Sequence, residues 1–101
     1  DLVVDIPGRT AKVAGKEIKL SRKEFDLLAE LVRNAGRVVT REGLMANVWD
    51  VNWFGSTKTL DVHIRALRKK LGDSATESRF IQTVRGVGFR FAPPEEIDRK
   101  P

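Results

Sequence analysis

Apolar residues recur with the period of an α-helix along residues 56–71. Leu60, Ile64, Leu67 and Leu71 lie three or four positions apart, which places them on one side of a helix. The other side is mostly charged and carries Lys58, Asp61, Val62, Arg65, Arg68 and Lys69. With Lys70 included, the basic residues of this stretch face only one acid, Asp61. Such a helix packs its leucine side on a core and presents a basic face to a partner.

The N-terminal residues predict a small antiparallel sheet. A β-prone run at 2–5, a weakly alternating run at 10–13 and an alternating run at 17–20 are separated by turn signals, Pro7-Gly8 and Ala14-Gly15. We therefore expect residues 2–20 to form a sheet. It is too short to stand alone, so it must pack on helices.

A first helix is predicted directly after this sheet. Ser21 and Glu24 have the spacing of a capping box, in which each side chain bonds the backbone N–H of the other residue. The expected apolar face of the helix consists of Phe25, Leu28, Leu31 and Val32, with Leu27 on its flank. Gly36 can adopt the left-handed conformation that ends a helix.

A second helix is predicted from Thr40, a suitable N-cap, with Leu44, Met45 and Val48 turned inward. Residues 37–39 form a brief extended link before it. Trp49 begins an aperiodic stretch that contains a glycine, so residues 49–56 are predicted to be a loop.

Two β-rich runs close the predicted domain. They are joined across Gly86-Val87-Gly88, where two glycines supply the positive φ angles of a tight hairpin. Phe89 and Phe91 alternate with Arg90 and are predicted to be core residues. Pro93-Pro94 stops the second strand, and the tail over 93–101 is predicted to be disordered.

These elements give an α+β fold: a winged helix-turn-helix with an N-terminal small antiparallel sheet, three helices and a C-terminal β-hairpin wing. One domain is predicted over 1–92. Its elements are the sheet at 2–20, helices at 21–35 and 40–48, the loop at 49–56, the third helix at 57–71 and the wing at 80–91.

The charge distribution is regional. Residues 1–50 carry nine Lys or Arg against eight Asp or Glu, a net of +1, whereas residues 51–92 carry eight against three, a net of +5. A regional basic excess is typical of a surface that binds a polyanion. The chain has no cysteine, and its apolar runs are too short to span a membrane, so a cytoplasmic protein without disulfides is expected.

Three sequence motifs indicate a resemblance to a known family. They are Val48-Trp49, T-x-D-V-H-I-x-x-L-R-K-K-L at Thr59–Leu71, and Q-T-V-R-G-x-G-F-R-F at Gln82–Phe91. In this order and spacing they resemble the effector domain of OmpR/PhoB-type response regulators, over Leu2 to Phe91. The resemblance implies sequence-specific double-stranded DNA binding by a two-component transcription regulator. No phospho-accepting receiver can be assembled from these residues.

The resemblance also implies partners. They are tandem direct-repeat half-sites bound head to tail, a receiver domain in the full-length protein, its sensor kinase, and RNA polymerase, with the domain alone a monomer. It implies no cofactor. The loop before the third helix is the candidate polymerase contact and contains Asp50, Asn52, Trp53 and Phe54. The alternative for Trp53 and Phe54, which the sequence favours, is that they are packing residues.

The family resemblance also assigns a role to individual residues at matching positions of this sequence. The resemblance places Val62 and Ala66 at base edges, where Val62 could pack on a thymine methyl group. Relatives have arginine in place of Ala66, so Arg65 or Lys69 would share the reading. Phosphate contacts are implied for Lys58, Thr59, His63, Arg65, Arg68 and Trp49, with Thr40 and Arg41 as weaker candidates. Thr83 and Arg85 are placed at the backbone or the flanking minor groove.

Several residues keep a structural alternative. Trp49 is balanced between the core and a phosphate contact, and His63, the single histidine, lacks the companions of a metal site. Asp61 is expected to orient an arginine or stabilise the helix, since no nucleophile partners it. The chain is therefore not expected to be an enzyme. The alternative function is a winged-helix protein–protein module whose basic face docks an acidic partner.

Overall fold

The computed structural model describes residues 2–49, 57–73 and 79–93. The elements are β1 (Leu2–Asp5), β2 (Thr10–Val13), β3 (Lys16–Glu17), α1 (Arg22–Arg33), β4 (Val38–Thr40), α2 (Arg41–Leu44), a π-helical turn (Met45–Trp49), α3 (Lys58–Leu71), β5 (Ile81–Val84) and β6 (Gly88–Phe91). Two antiparallel sheets, in the orders β1-β2-β3 and β4-β6-β5, flank the helices. The predicted fold class, a winged helix with an N-terminal sheet, is confirmed.

The N-terminal sheet has a shorter third strand than the sequence predicted. The alternating run at 17–20 was expected to form a strand, but β3 ends at Glu17. Among the described residues, one further backbone bond extends the pairing, from Ile18 N–H to Ala11 O at 2.9 Å. Beyond it the chain leads into Ser21, the cap of α1, so it leaves the sheet edge.

Both halves of the capping box at the start of α1 are present. Glu24 N–H donates to Ser21 Oγ at 3.2 Å, and Ser21 N–H donates to Glu24 Oε1 at 2.8 Å. α1 ends at Arg33, two residues before the predicted limit. Gly36 follows with φ 85° and donates its N–H to Phe91 O. The exit of α1 is therefore tied to the wing sheet.

The apolar face of α1 is wider than expected. Leu27, predicted to lie on the flank, is fully buried, whereas Val32, predicted on the face, is half-buried. α1 packs on α3, on β6 and on the π-helical turn. Because neighbours cover it from several directions, flank positions are buried as well.

The second helix is not a regular α-helix throughout. Thr40 caps it as predicted, since Thr40 Oγ1 accepts from Gly43 N–H at 3.0 Å. After Leu44, however, the chain continues as the π-helical turn, which includes Trp49 instead of leaving it in a loop. The wider turn buries Met45 and Val48 and brings Trp49 to the edge of the core. The remainder of the predicted loop lies outside the described residues.

The link before α2 belongs to the wing sheet. Residues 37–39 were expected to be a simple connection, but β4 pairs with β6, with Val39 opposite Phe89. Gly86 has a positive φ of 78°, as predicted. Gly88, by contrast, does not have a positive φ angle. Glycine is needed at this position because an added Cβ would overlap the Val39 carbonyl oxygen and lie 2.9 Å from Thr40 Cα. The second glycine thus serves close strand approach, not the turn.

The core joins all these elements. Its fully buried large side chains are Phe80, Leu27, Leu28, Leu31, Leu44, Leu60, Leu67, Leu71 and Ile81. Phe89 and Phe91 are 4% and 5% exposed, as predicted for core residues. Among the described residues, no helix is long and apolar enough to cross a membrane. The predicted tail lies outside the described residues from position 94 onward.

Candidate nucleic-acid interface

The two sides of α3 differ as the sequence pattern predicted. Leu60, Ile64, Leu67 and Leu71 are at most 2% exposed. The exposed residues of the opposite side are Lys58, Asp61, Val62, Arg65 and Lys69. Gly72 ends the helix with φ 84°. The exposed side borders a groove of about 840 Å³ between α3 and the wing.

Three basic side chains of α3 and the wing have no partner among the residues that the structure describes. Arg65, Lys69 and Arg85 are exposed and make no hydrogen bond or ion pair within the described part of the chain. Val62 lies on the same exposed side and is 63% exposed, although it is apolar. Ala66, the other predicted base-edge position, is half-buried. A basic surface that also exposes an apolar residue suits a duplex groove.

Arg41 is committed to an internal ion pair. Its Nη1 and Nη2 donate to the two oxygens of Asp61 at 2.7 and 3.0 Å, and Nη2 also contacts Thr57 O. The hydrogen bond from Arg41 lowers the pKa of Asp61, and the same bond raises the pKa of Arg41. Asp61 thus orients an arginine, as the sequence suggested.

The N-terminus of α2 offers few amides to an anion. Arg41 N–H donates to Val87 O of the wing turn at 3.3 Å, and Gly43 N–H is used by Thr40 Oγ1. Helix N-termini attract phosphate through their unpaired amides. The hydroxyl of Thr40 therefore caps α2, and Arg41 holds the wing turn and α3, with the groups that would otherwise bind phosphate.

Arg68 is also turned inward. Its Nε and Nη2 donate to Ile81 O at 3.2 and 2.9 Å, and Nη2 donates to Thr83 Oγ1 at 2.6 Å. Burial lowers the pKa of Arg68, and the nearby charge of Asp73 opposes that effect. Two predicted phosphate contacts, Arg68 and Thr83, are thus bonded to each other.

Asp73 is a structural residue that the sequence interpretation missed. It is 9% exposed, and its carboxylate accepts from the backbone N–H groups of Arg79, Phe80 and Ile81 at 2.9–3.1 Å. It thereby joins the end of α3 to the start of β5. Its partners lie six to eight residues away, outside the reach of any local cap pattern.

Trp49 and His63 form a pair beside α3. Their ring centroids are 5.0 Å apart in an edge-to-face arrangement, and both rings are half-buried. His63 Nδ1 lies 2.8 Å from Thr59 O, a carbonyl that can only accept, so Nδ1 carries the hydrogen. Lys23 Nζ donates to Val48 O at 2.8 Å and lies 5.8 Å from the Trp49 ring. Trp49 thus belongs partly to the core.

Lys70 does not belong to the open basic face. Its Nζ lies 2.6 Å from Glu24 Oε1, and this ion pair joins α3 to the cap of α1. Burial acts to raise the pKa of Glu24, but the bonds from Lys70 and Ser21 together lower it. The candidate polymerase contacts Asp50, Asn52, Trp53 and Phe54 lie outside the described residues.

Comparison with known proteins identifies the family. The model of the family described as "Transcriptional regulatory protein, C terminal" matches residues 15–91. The sensory transduction protein RegX3 of Mycolicibacterium smegmatis is 44% identical over 87 residues, which cover 86% of this chain and 38% of the relative. RegX3 of Mycobacterium leprae is 45% identical over 89 residues, covering 88% and 45%. The chain thus spans less than half the length of these curated relatives.

Solved structures agree with this assignment. The Klebsiella pneumoniae RstA DNA-binding domain, crystallised in complex with the RstA box, superposes with a TM-score of 0.83 at 41% identity and 91% coverage of both chains. DrrB, a Thermotoga maritima OmpR/PhoB homologue, gives a TM-score of 0.84 at 40% identity, with 92% of this chain and 42% of that chain covered. The chain therefore belongs to the OmpR/PhoB family of response regulators, as a C-terminal effector domain of transcriptional regulation.

Proposed function

We propose that this domain binds double-stranded DNA sequence-specifically, with α3 in the major groove and the wing at the neighbouring backbone or minor groove. One observation carries the proposal: α3 buries its leucine side and leaves Val62, Arg65 and Lys69 exposed together. An α-helix fits the major groove, where base edges present a distinct pattern of donors, acceptors and methyl groups.

The proposed contacts divide into base reading and backbone binding. Val62 packs on a thymine methyl group, Ala66 lies at the base edges, and Arg65 or Lys69 supplies a hydrogen-bond donor to a base. The backbone contacts are Lys58, Thr59, His63, Trp49 and Thr83. Arg85, at the exposed wing turn, enters the flanking minor groove, where a narrow A·T-rich sequence has the stronger negative potential.

The assembly on DNA is proposed from the family. The RstA domain, at 41% identity, was crystallised with its RstA box, which supports duplex binding by this chain. We propose that the domain is a monomer alone and pairs head to tail on tandem direct repeats. In the full-length protein, a receiver domain acted on by a sensor kinase controls it, and the loop before α3 contacts RNA polymerase.

Fluorescence anisotropy with duplex libraries tests this function. The libraries carry tandem half-sites about one helical turn apart. Arg65→Ala and Arg85→Ala are measured beside the wild-type chain. We expect selection of one repeat and an affinity loss of about 1–3 kcal/mol for each variant.

Lys12→Ala is the matched control, because Lys12 is an exposed cation on β2 of the other sheet. Weak binding without sequence preference, unchanged in Arg65→Ala and Arg85→Ala, would overturn the proposal. That result would favour the basic face as a dock for an acidic protein.

A further inference from the structure

Three polar contacts join α2, α3 and the wing in a closed circuit, which we call the polar triangle. Arg41 of α2 pairs with Asp61 of α3, and Arg68 of α3 bonds Thr83 of β5. The third contact runs from Arg41 N–H to the Val87 carbonyl of the wing turn. The groups lie along the groove between α3 and the wing.

Arg68 is the member of the polar triangle that joins α3 directly to the wing. Its guanidinium bonds two groups of β5, the Ile81 carbonyl and the Thr83 hydroxyl, at 2.6–3.2 Å. It also lies 5.8 Å from the centre of the buried Phe89 ring of β6. A planar fork of this kind fixes direction as well as distance, which a lysine cannot do.

β5 needs such a support because it is an edge strand. In the order β4-β6-β5, β6 is its only strand neighbour within the described residues. The Arg68 fork holds the face of β5 toward α3, and the Asp73 carboxylate fixes its first residue. Loss of the fork leaves the wing attached through β6, the Asp73 carboxylate and the Arg41–Val87 bond, but removes the side-chain bonds that hold Ile81 O and Thr83 to α3.

We propose that Arg68 is a positioning residue: it sets the separation between α3 and the wing, and so the spacing at which the domain reads a major-groove half-site and its flank. This inference rests on the proposed DNA binding. Successive base pairs lie about 3.4 Å apart. A wing shift of that size would move Arg85 to the next step of the flank, so a fixed wing selects one spacing.

The first test separates positioning from a direct phosphate contact. A duplex is selected by the wild-type chain from a randomised library, and Arg68→Ala is measured on it alone and combined with Arg85→Ala. If Arg68 acts through the wing, we expect about a 10-fold loss in the single variant. A smaller further loss is expected once Arg85 is already absent, because Thr83 is then the one proposed wing contact that a shift of the wing can misplace.

The second test uses spacing. Duplexes in which the selected flank is moved by one or two base pairs are compared for the wild-type chain and Arg68→Lys. Arg68→Lys keeps the charge and loses the fork, so we expect weaker binding at the preferred spacing and a flatter response across the series. Lys12→Ala removes a distant exposed charge and should keep the wild-type response.

A third measurement needs no DNA and guards against misfolding. Hydrogen exchange of the β5 amides should be faster in Arg68→Ala, while exchange of the buried α1 amides stays at the wild-type rate. Faster exchange throughout the chain would mean general destabilisation and would overturn the assignment.

Two other results would also overturn it. In the first, Arg68→Ala lowers the affinity as much in the Arg85→Ala background as in the wild-type chain, and it reduces the salt slope by about 0.9. This combination is the signature of a phosphate contact. The other is a wild-type chain that selects no duplex, which would overturn the proposed function and this inference together. The wild-type arm therefore distinguishes the two failures.

Discussion

Gly88 allows β4 and β6 of the wing sheet to approach each other. A Cβ at this position would overlap the Val39 carbonyl oxygen, which is backbone and cannot move aside as a flexible side chain would. We therefore expect Gly88→Ala to lower the free energy of unfolding by about 3 kcal/mol, measured by urea denaturation.

Gly86→Ala is the matched control for that substitution. Gly86 has φ 78°, with nothing within 4 Å of an added Cβ, so only backbone strain of about 1 kcal/mol is expected. Equal losses at Gly86 and Gly88 would contradict the close-approach explanation. The sequence predicted both glycines as turn residues, and strand contact could not be inferred because β4 was not recognised.

Ala66 offers a test of base reading. The family resemblance implies arginine at this position, and arginine bonds guanine through two donors. We expect Ala66→Arg to enrich guanine at one position of the selected duplex and to bind that duplex about 10-fold more tightly than wild type. Sequencing of duplexes selected from a randomised library measures the change.

The control for Ala66→Arg is Ala66→Gln, which has a long polar side chain without charge. Glutamine prefers adenine, so the enriched base should change with the side chain. Enrichment of the same base by both variants, or tighter binding to every duplex alike, would contradict a base-edge position for Ala66 and indicate a general charge effect.

At the scale of elements, Glu24 links α1 to α3. Its carboxylate accepts from Ser21 N–H and from Lys70 Nζ, and these bonds hold its pKa below the ordinary value of 4.5. The folded state therefore binds fewer protons than the unfolded state in acid. The stabilisation is present above the ordinary pKa and is lost as pH falls through the folded pKa.

We accordingly expect Glu24→Gln to lower the free energy of unfolding by about 1 kcal/mol near neutral pH. The loss should shrink as pH falls through the lowered pKa of Glu24, because the wild-type carboxylate then becomes protonated as well. Urea denaturation at neutral pH and in acid measures the difference. A loss of equal size at both pH values would show that the charge of Glu24 contributes nothing.

Local periodicity explains which elements the sequence could predict. The buried stripe of α3 and the cap of α1 depend on residues within a turn or two of one another, so spacing alone reveals them. The contacts that orient the site are long-range. Arg68 meets Thr83 fifteen residues away, and β4 pairs with β6 across some fifty residues. Sequence spacing predicted both arginines of the polar triangle as open cations for that reason.

The net positive charge of the whole molecule comes mainly from residues 51–92. Residues 51–92 carry a net of +5, and Arg65, Lys69 and Arg85 in this region are exposed without an internal partner among the described residues. Arg68 and Lys70 contribute to that net charge but are bonded internally. The charge available to the proposed DNA interface is thus smaller than the sequence total.

The difference between exposed cations and internally bonded cations predicts the salt dependence of binding to one selected half-site. With Arg65, Lys69 and Arg85 as the phosphate or groove cations, the logarithm of the binding constant should fall with the logarithm of salt concentration with a slope of about −3. Each alanine substitution among the three should reduce that slope by about 0.9, whereas Lys12→Ala should leave it unchanged. If Lys12→Ala reduced the salt slope as much as Lys69→Ala does, net charge alone would drive binding. The exposed face of α3 would then have no special role, because only counterions released at the contact surface enter the slope.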